Sequence, residues 1–254
     1  MKHVTPAAVA VLLLLGPQAV LAFDCLVLNQ LPVQIDRPGK YCLDQSHDMV
    51  LSGGEAAITI LASDVDLDLR GHTLRNPVYE GGLCDAEYRS QPAVGISVFE
   101  ARNVRIHNGA LRCFFTGVQF SQQSCGDCNQ GNQARDLRIL QSGYAGIFAE
   151  GDFGVYADNH IVDTGAVEVR DGRGLYVSGE GNTIRNNDVQ LVWDDGAGIA
   201  TGNGHNNLVV ENRVQNARIG FYLFSGSEVR YRDNLTASVL QRFAGTATDL
   251  GNND

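Results

Sequence analysis

A short block that begins with glycine and continues with alternating apolar residues recurs along the chain. The six glycines that open these blocks are Gly95, Gly117, Gly146, Gly174, Gly198 and Gly220. Consecutive glycines are 22, 29, 28, 24 and 22 residues apart. A period of about 20–30 residues built of short strands is typical of a solenoid. The sequence therefore predicts an all-β solenoid of about seven coils.

Each of the last four blocks is followed by a second short apolar stretch that leads to an asparagine. These asparagines are Asn159, Asn187, Asn212 and Asn234. Stacked coils would pair as parallel strands about 4.8 Å apart, with a continuous apolar core. The asparagine would lie at a tight corner, where it tolerates a left-handed backbone and can hydrogen-bond its copies in adjacent coils. The glycine would relieve strain at the next corner, so both residue types are predicted to be structural.

The first residues have the composition of a secretory signal peptide. Lys2 and His3 precede an apolar run over residues 7–15, and small residues near Ala22 fit a cleavage site. The run is too short for a membrane anchor. We therefore expect a secreted or periplasmic chain without membrane insertion.

The rest of the chain suits one elongated domain. Residues 1–22 are assigned to the signal peptide, residues 23–52 to an N-terminal cap, and residues 53–254 to the repeat domain. A cap is expected because the end of a solenoid exposes apolar side chains and unpaired strand edges. We expect the mature chain to be a monomer.

The six cysteines all follow the signal peptide, as in proteins of oxidising compartments. The first two bracket the cap, the next two fall in equivalent turns of consecutive repeats, and the last two form a CxxC motif. A zinc site is the alternative for that last pair, although no second pair lies at metal-ligand spacing. The predicted disulfides are Cys25–Cys42, Cys84–Cys113 and Cys125–Cys128.

The charge balance narrows the range of partners. The formal net charge is −10, and the basic residues other than Lys2 and Lys40 are all arginine. Nucleic acid is excluded because its binding needs a concentrated basic surface. An acidic polysaccharide would need local arginine clusters, whereas a neutral glycan or a Ca²⁺-assisted contact stays open.

Two segments carry a resemblance to a known family. Residues 68–74 read Asp-Leu-Arg-Gly-His-Thr-Leu, and residues 103–109 read Asn-Val-Arg-Ile-His-Asn-Gly. Together with the glycine blocks and their asparagines, these segments resemble the pectin-lyase-like superfamily over about residues 53–252. The resemblance implies a right-handed parallel β-helix and a polysaccharide as the partner. It does not by itself imply a reaction.

Functional residue types concentrate just before the repeat glycines. Two segments end in Asp-Gly-x-Gly, and at equal offsets Asp171 would lie over Asp195, one coil spacing away, with Arg170 over Asp194. The residues predicted to be catalytic are Asp171, Asp195, Asp194 and Arg170. The residues predicted to bind substrate are Tyr144, Arg173, Trp193 and Arg218.

This set of residues is compatible with more than one chemistry. Two nearby carboxylates can act as acid and as base or nucleophile on a glycosidic bond. They can also hold Ca²⁺ while an arginine removes a proton next to a uronate carboxyl. The alternative is that they form ion pairs in surface loops. The sequence identifies no certain cofactor, and Ca²⁺ is the candidate ion for this set of residues.

Residues 193–199 resemble the paired-aspartate segment of polygalacturonase-type glycoside hydrolases. The Gly-His-Gly and Asn-Thr-Asp segments of those enzymes have no counterpart at the matching offsets here, so no catalytic role is transferred from them. Two functions remain. The chain recognises or processes an extracytoplasmic polysaccharide, as a lyase or hydrolase would. Alternatively, it is a non-catalytic β-helix protein of the envelope or surface with a structural or binding role.

Overall fold

The computed structural model of the chain describes residues 24–51, 53–76, 84, 92–123, 128–165, 171–193, 195–224 and 228–254. Within these ranges every regular element is a β-strand. The strands are β1 (Leu26–Val27), β2 (Val33–Ile35), β3 (Gly39–Cys42), β4 (His47–Asp48), β5 (Ala56–Ile60), β6 (Val65–Asp68), β7 (Thr73–Arg75), β8 (Val94–Phe99), β9 (Arg105–Arg112), β10 (Thr116–Ser121), β11 (Gln133–Leu140), β12 (Ala145–Glu150), β13 (Val155–Ala157), β14 (His160–Thr164), β15 (Arg173–Ser178), β16 (Thr183–Arg185), β17 (Asp188–Val192), β18 (Ala197–Thr201), β19 (Leu208–Val210), β20 (Arg213–Gln215), β21 (Ile219–Leu223), β22 (Arg230–Arg232), β23 (Leu235–Ala237), β24 (Gln241–Gly245) and β25 (Thr248–Asp249).

The described strands form two parallel sheets. The nine-stranded sheet has the order β2-β5-β8-β10-β12-β15-β18-β21-β24, and the other sixteen strands form the second sheet. The register is kept from coil to coil, so that Ile147 lies beside Leu175 and Leu175 lies beside Ile199. This arrangement confirms the predicted all-β solenoid of stacked repeats. No helix in the described ranges has the length and apolar character to span a membrane.

The segment predicted as an N-terminal cap continues the same ladders. Strands β1, β2, β3 and β4 pair in parallel with β3, β5, β6 and β7, respectively. Whether residues 23–52 also form a separate cap remains a prediction. The signal peptide assigned to residues 1–22 lies outside the described residues.

The repeat glycines are needed because successive coils approach closely, not because of a left-handed backbone. None of the six has a positive φ. A Cβ on Gly174 would lie 2.5 Å from the carbonyl oxygen of Gly198 in the next coil and would overlap the side chain of Val189. The expectation that these glycines relieve corner strain is therefore wrong.

The recurring asparagines form a buried hydrogen-bonded ladder, as predicted. The side-chain Nδ2 of Asn159 donates to Oδ1 of Asn187 at 2.9 Å, and Nδ2 of Asn187 donates to Oδ1 of Asn212 at 2.9 Å. The ladder continues through Asn234 to Asn253. All of its members except Asn253 are buried.

The left-handed residue of this corner is the one before each ladder asparagine. The residues concerned, with their φ values, are Asp158 (61°), Asn186 (51°), Glu211 (57°) and Asp233 (56°). The ladder asparagine itself therefore directs its side chain inward from an ordinary backbone. A second buried set of asparagines was not singled out from the sequence: Asn132, Asn182 and Asn207. In this set the main-chain N–H of Asn182 donates to the side-chain Oδ1 of Asn207 at 2.8 Å.

Two predicted disulfides are confirmed. Cys25 pairs with Cys42, and Cys84 pairs with Cys113, with Cα–Cα distances of 5.8 and 5.5 Å. Cys128 is also disulfide-bonded. Its predicted partner, Cys125, lies outside the described residues.

Candidate functional site

The described residues of the predicted site lie where each coil enters the nine-stranded sheet. Tyr144 and Arg218 directly precede β12 and β21, and Asp171 and Asp195 lie two residues before β15 and β18. The amide of Arg173 donates to the carbonyl of Tyr144 at 2.8 Å, so neighbouring coils meet here in the predicted order. We call this set the entry edge: Tyr144, Asp171, Arg173, Trp193, Asp195 and Arg218. The predicted catalytic residues Arg170 and Asp194 lie outside the described residues.

The two carboxylates of the entry edge have different surroundings. Asp195 forms an ion pair with Arg218 of the next coil, and both side chains are about half exposed, at 56% and 49%. Asp171 is exposed, and its main-chain carbonyl accepts a hydrogen bond from Nη1 of Arg173 at 2.9 Å. An exposed ion pair contributes little to stability. The catalytic roles of these residues remain predictions.

Trp193 lies at the same corner, directly after β17. Its side chain is 49% exposed, and its Nε1 donates to Oδ1 of Asp163 at 2.5 Å. The hydrogen bond holds the indole at the side of the entry edge with much of its surface open to solvent.

An aromatic row that the sequence analysis did not single out lies beside the entry edge. Phe148, Tyr176, Ala200 and Tyr222 are in register on successive strands of the nine-stranded sheet. Each is the second residue after a repeat glycine, so the constant offset was the signal that could have found it. We call the following residues the aromatic stripe: Phe115, Tyr144, Phe148, Tyr176, Tyr222 and Phe224.

The first four rings of the stripe form two stacked pairs that a tilted contact joins. The centroids of Phe115 and Tyr144 are 5.6 Å apart with an interplanar angle of 13°. Those of Phe148 and Tyr176 are 5.0 Å apart with an angle of 14°. Tyr144 joins the two pairs, with its centroid 6.1 Å from that of Phe148. Such ring pairs contribute about 0.5–1.5 kcal/mol beyond burial alone.

The stripe is interrupted at Ala200, where a cavity opens. We call it the Ala200 slot; its volume is about 150 Å³. Tyr176 and Tyr222 flank it, and Ala200, which is 1% exposed, lies at its floor. The remaining lining residues are Arg173, Thr201, Gly202, Asn203 and Phe224.

The hydroxyl of Tyr144 stays protonated at neutral pH. Burial raises the pKa of Tyr144 above its ordinary value of 10.0, and the nearby charge of Arg173 offsets only part of that effect. The tyrosine is therefore a hydrogen-bond donor at the entry edge. Across the described part of the chain, no three His, Cys, Asp or Glu side chains cluster so as to hold a metal ion, and the Ca²⁺ site remains a prediction.

Comparisons with known proteins agree on the fold. A family model described as a right handed beta helix region matches residues 125–239. No curated protein is significantly similar to the chain in sequence. The solved DFA-IIIase from Arthrobacter chlorophenolicus A6 superposes with a TM-score of 0.56 at 14% identity, covering 78% of this chain and 45% of its own. Its complex with GF2 gives a TM-score of 0.56 at 13% identity, with 78% and 46% covered.

An alginate lyase from Paenibacillus sp. str. FPU-7 superposes with a TM-score of 0.45 at 14% identity, covering 86% of this chain and 93% of its own. The chain spans less than half of the length of the DFA-IIIase that it matches. At 13–14% identity the likeness to the DFA-IIIase is one of fold alone.

Proposed function

Because this chain is a right-handed parallel β-helix repeat protein with the fold of the pectin-lyase-like superfamily, we propose that it recognises or processes an extracytoplasmic polysaccharide. The binding surface is the outer face of the nine-stranded sheet. The observation that carries the proposal is the aromatic stripe, because a row of partly exposed aromatic side chains marks an interaction surface. Its tyrosines combine an apolar ring with a hydroxyl, as recognition of a sugar requires.

Export supports an extracytoplasmic partner. The N-terminal residues have the features of a signal peptide, and the Cys25–Cys42 and Cys84–Cys113 disulfides fit an oxidising compartment. We expect the mature protein to be secreted or periplasmic and monomeric.

The catalytic version of the proposal is a lyase or hydrolase that acts at the entry edge. Asp171 and Asp195 would supply the acid and base groups, and Tyr144, Arg173, Trp193 and Arg218 would orient the sugar. The solved DFA-IIIase supports this version to the extent that an enzyme is built on a similar solenoid.

The second candidate is a non-catalytic binding or structural protein of the cell envelope or surface. The observation that favours it is the exposed ion pair between Asp195 and Arg218. An exposed pair of a carboxylate and an arginine is an ordinary feature of a protein surface.

A glycan panel with the purified mature chain, with and without Ca²⁺, tests both versions. We would measure binding, reducing ends and the ultraviolet absorbance of unsaturated products for the wild type and for two variants. The first is Asp171→Asn with Asp195→Asn, and the second is Phe148→Ala with Tyr222→Ala.

Turnover that is lost in the aspartate variant would establish the catalytic version. Binding without turnover, weakened at least about tenfold only in the aromatic variant, would establish the binding protein. A wild-type chain that binds no glycan of the panel would overturn the proposal. Gln34→Ala, on β2 of the same sheet and far from the stripe, is the matched control.

A further inference from the structure

A groove lies at the corner where the coils pass from the nine-stranded sheet to the second sheet. Its volume is about 350 Å³, at the lower end of the volumes of small-molecule sites. The entry edge is at the opposite ends of the strands, and none of the lining residues belongs to the aromatic stripe. We call this cavity the corner groove; its polar lining residues are Asp64, Asp66, Asn103, Arg105 and Gln133.

The corner groove is open to solvent. Asp64, Asn103 and Gly131 occupy one row of the corner in successive coils, and Nδ2 of Asn103 donates to Oδ1 of Asp64 at 3.0 Å. The row has no side chain at Gly131, whose φ is 69° and where a Cβ would lie 2.8 Å from Oδ1 of Asn103. None of the polar lining residues is buried. A ligand can therefore reach all of them.

The polar groups of the corner groove have unused hydrogen-bonding capacity of both kinds. Within the described ranges, the side-chain amide of Gln133, which can donate and accept, has no partner. Arg105 donates to Asp66 through Nε at 3.0 Å and through Nη2 at 3.4 Å, which leaves its Nη1 as a donor. Asp64 keeps Oδ2 as an acceptor. Such a mixture suits hydroxyl groups, which both donate and accept.

The charges of the corner groove favour a neutral ligand over an acidic one. The carboxylate of Asp66 is paired with Arg105 and lies 3.0 Å from Nε2 of His107. In the part of the chain that the structure describes, Asp64 has no cationic partner. The groove thus presents one uncompensated carboxylate on a protein of net charge −10. It would repel a uronate or a sulfate group, whereas the hydroxyls of a neutral sugar carry no such penalty.

An exposed aromatic residue follows Gly131 in the corner row and has an unfavourable backbone conformation. This residue is Phe153; the amide of Gly131 donates to the carbonyl of Asp152, the residue before it, at 2.9 Å. The φ of Phe153 is 57°, a left-handed value that is costly for a bulky side chain. Phe153 is 56% exposed, and part of its ring lies over Gly181. Burial in the core therefore does not account for a phenylalanine at this corner.

We propose that the corner groove is a second glycan-binding site, which takes one sugar unit of a neutral glycan. Gln133, Arg105 and Asp64 bind the hydroxyl groups of that unit. Phe153, one coil spacing of about 4.8 Å beyond Gly131, packs against the apolar face of the adjoining unit. The inference goes beyond the proposed function, with which it shares the class of ligand, and does not rest on the aromatic stripe.

Calorimetric titration of the mature chain tests the site. Short oligosaccharides of β-glucan, xylan and mannan are the neutral probes, and those of alginate and polygalacturonate are the acidic probes. The variant Phe148→Ala with Tyr222→Ala removes rings of the aromatic stripe and leaves the corner groove intact, so its remaining binding reports on the groove. We expect it to bind a neutral probe, and to bind the acidic probes at least about tenfold more weakly.

The outcomes separate the two proposals. If the wild type binds a neutral probe and the stripe variant binds none, the corner groove is contradicted and the proposed function is spared. Acidic probes that bind the stripe variant as tightly as neutral ones would overturn the assignment of a neutral glycan. A wild-type chain that binds none of the probes contradicts both proposals.

Substitutions in the corner groove are compared in the background of the stripe variant. Gln133→Ala removes the free amide and should weaken binding of the neutral probe about tenfold. Thr183→Ala removes a polar group at the same register position two coils further on, outside the groove, and should leave the Kd unchanged. Unchanged binding after Gln133→Ala, or equal losses in both variants, would overturn the site.

Phe153→Asn tests why a phenylalanine occupies the corner. Asparagine adopts a φ of 57° more readily than phenylalanine does, so a ring kept for ligand binding can be removed without loss of thermal stability. We expect an unchanged or higher Tm together with about tenfold weaker binding of the neutral probe. A lower Tm with an unchanged Kd would assign Phe153 to the fold and contradict its part in the site.

Discussion

At the scale of single residues, the ladder asparagines carry hydrogen bonds that water cannot replace. The side chain of Asn187 takes part in four of them, with Tyr156, Asn159 and Asn212 as its partners. It is 1% exposed. Replacing it removes a partner from buried groups in both neighbouring coils.

We expect Asn187→Ala to lower the free energy of unfolding by about 3 kcal/mol, because a buried group left without a partner costs about 1–3 kcal/mol. The measurement is urea unfolding followed by circular dichroism. The control is Asn186→Gly, at the neighbouring exposed position with a φ of 51°, which should change stability by less than about 0.5 kcal/mol. Equal losses in the free energy of unfolding of both variants would contradict a particular contribution of the ladder to stability.

At the scale of the element, the repeat glycine sets how closely consecutive strands of the nine-stranded sheet can lie. Gly174→Ala would place a methyl group against the main chain of Gly198 and the side chain of Val189. We expect a loss of about 3 kcal/mol in the free energy of unfolding, at the upper end of the cost of overpacking. Gly53→Ala is the control, since its Cβ would meet only Pro92 at 3.2 Å. A tolerated Gly174→Ala in thermal unfolding would contradict the close-approach explanation.

Between neighbouring strands of the second sheet, an ion pair gives stability that depends on pH. Arg213 donates two hydrogen bonds to Asp188, at 2.9 and 2.6 Å. Burial raises the pKa of Asp188, but hydrogen bonds from Arg213 and Gln190 outweigh it, so the net pKa lies below the ordinary value of 3.8. A carboxylate whose pKa is lower in the folded state stabilises the fold above its unfolded pKa, and loses that contribution as the pH falls through the folded value.

We therefore expect Asp188→Asn to be less stable than the wild type at neutral pH, by at most about 1 kcal/mol because the pair is partly exposed. The difference should shrink as the pH falls below 3.8. Urea unfolding of both proteins across that pH range checks the expectation. A difference that stays constant with pH would assign the effect to packing. Asp44→Asn, in an exposed turn before β4, serves as the reference variant.

At the scale of the whole molecule, the sequence contained the architecture but not the site. The repeat glycines and asparagines recur at fixed offsets, and backbone pairing turns each offset into a row. That is why the solenoid, the asparagine ladder and the two disulfides could be predicted. The reason for the glycines could not, because the approach of Gly174 to Gly198 depends on distances between coils.

The entry edge was reachable from the sequence because Tyr144 and Arg218 share an offset from their glycines. The aromatic stripe could have been predicted in the same way, because Phe148, Tyr176 and Tyr222 also share an offset. In the sequence, however, they resemble the ordinary alternation of a strand. Ala200 interrupts the row between Tyr176 and Tyr222, and a small residue gives no chemical signal in a sequence. The pairing of Asp195 with Arg218 depends on side-chain conformations that offsets do not determine.

Because each coil contacts chiefly its neighbours, stability should be local along the solenoid. The Cys25–Cys42 disulfide closes a separation of 17 residues. In the chain-entropy account, its removal lowers the free energy of unfolding by about 3 kcal/mol. In the Cys25→Ala, Cys42→Ala variant we expect faster amide hydrogen exchange in β1 and β3 and unchanged exchange in β12, β15 and β18. The Cys84–Cys113 bond is left intact as the internal reference. Faster exchange throughout the solenoid would contradict local stability.

The asparagine ladder also gives the molecule an electrical direction. From Asn159 to Asn253 each side-chain amide donates toward the following coil, so the amide dipoles add, as the peptide dipoles of a helix do. The positive end of this column points to the last coil, where Nδ2 of Asn253 donates to a carboxylate oxygen of Asp249 at 2.5 Å. Asp249 thus terminates the column as an acidic residue terminates the start of a helix. Any further coil grafted at this end would need an asparagine in the same row and a new position for that negative charge.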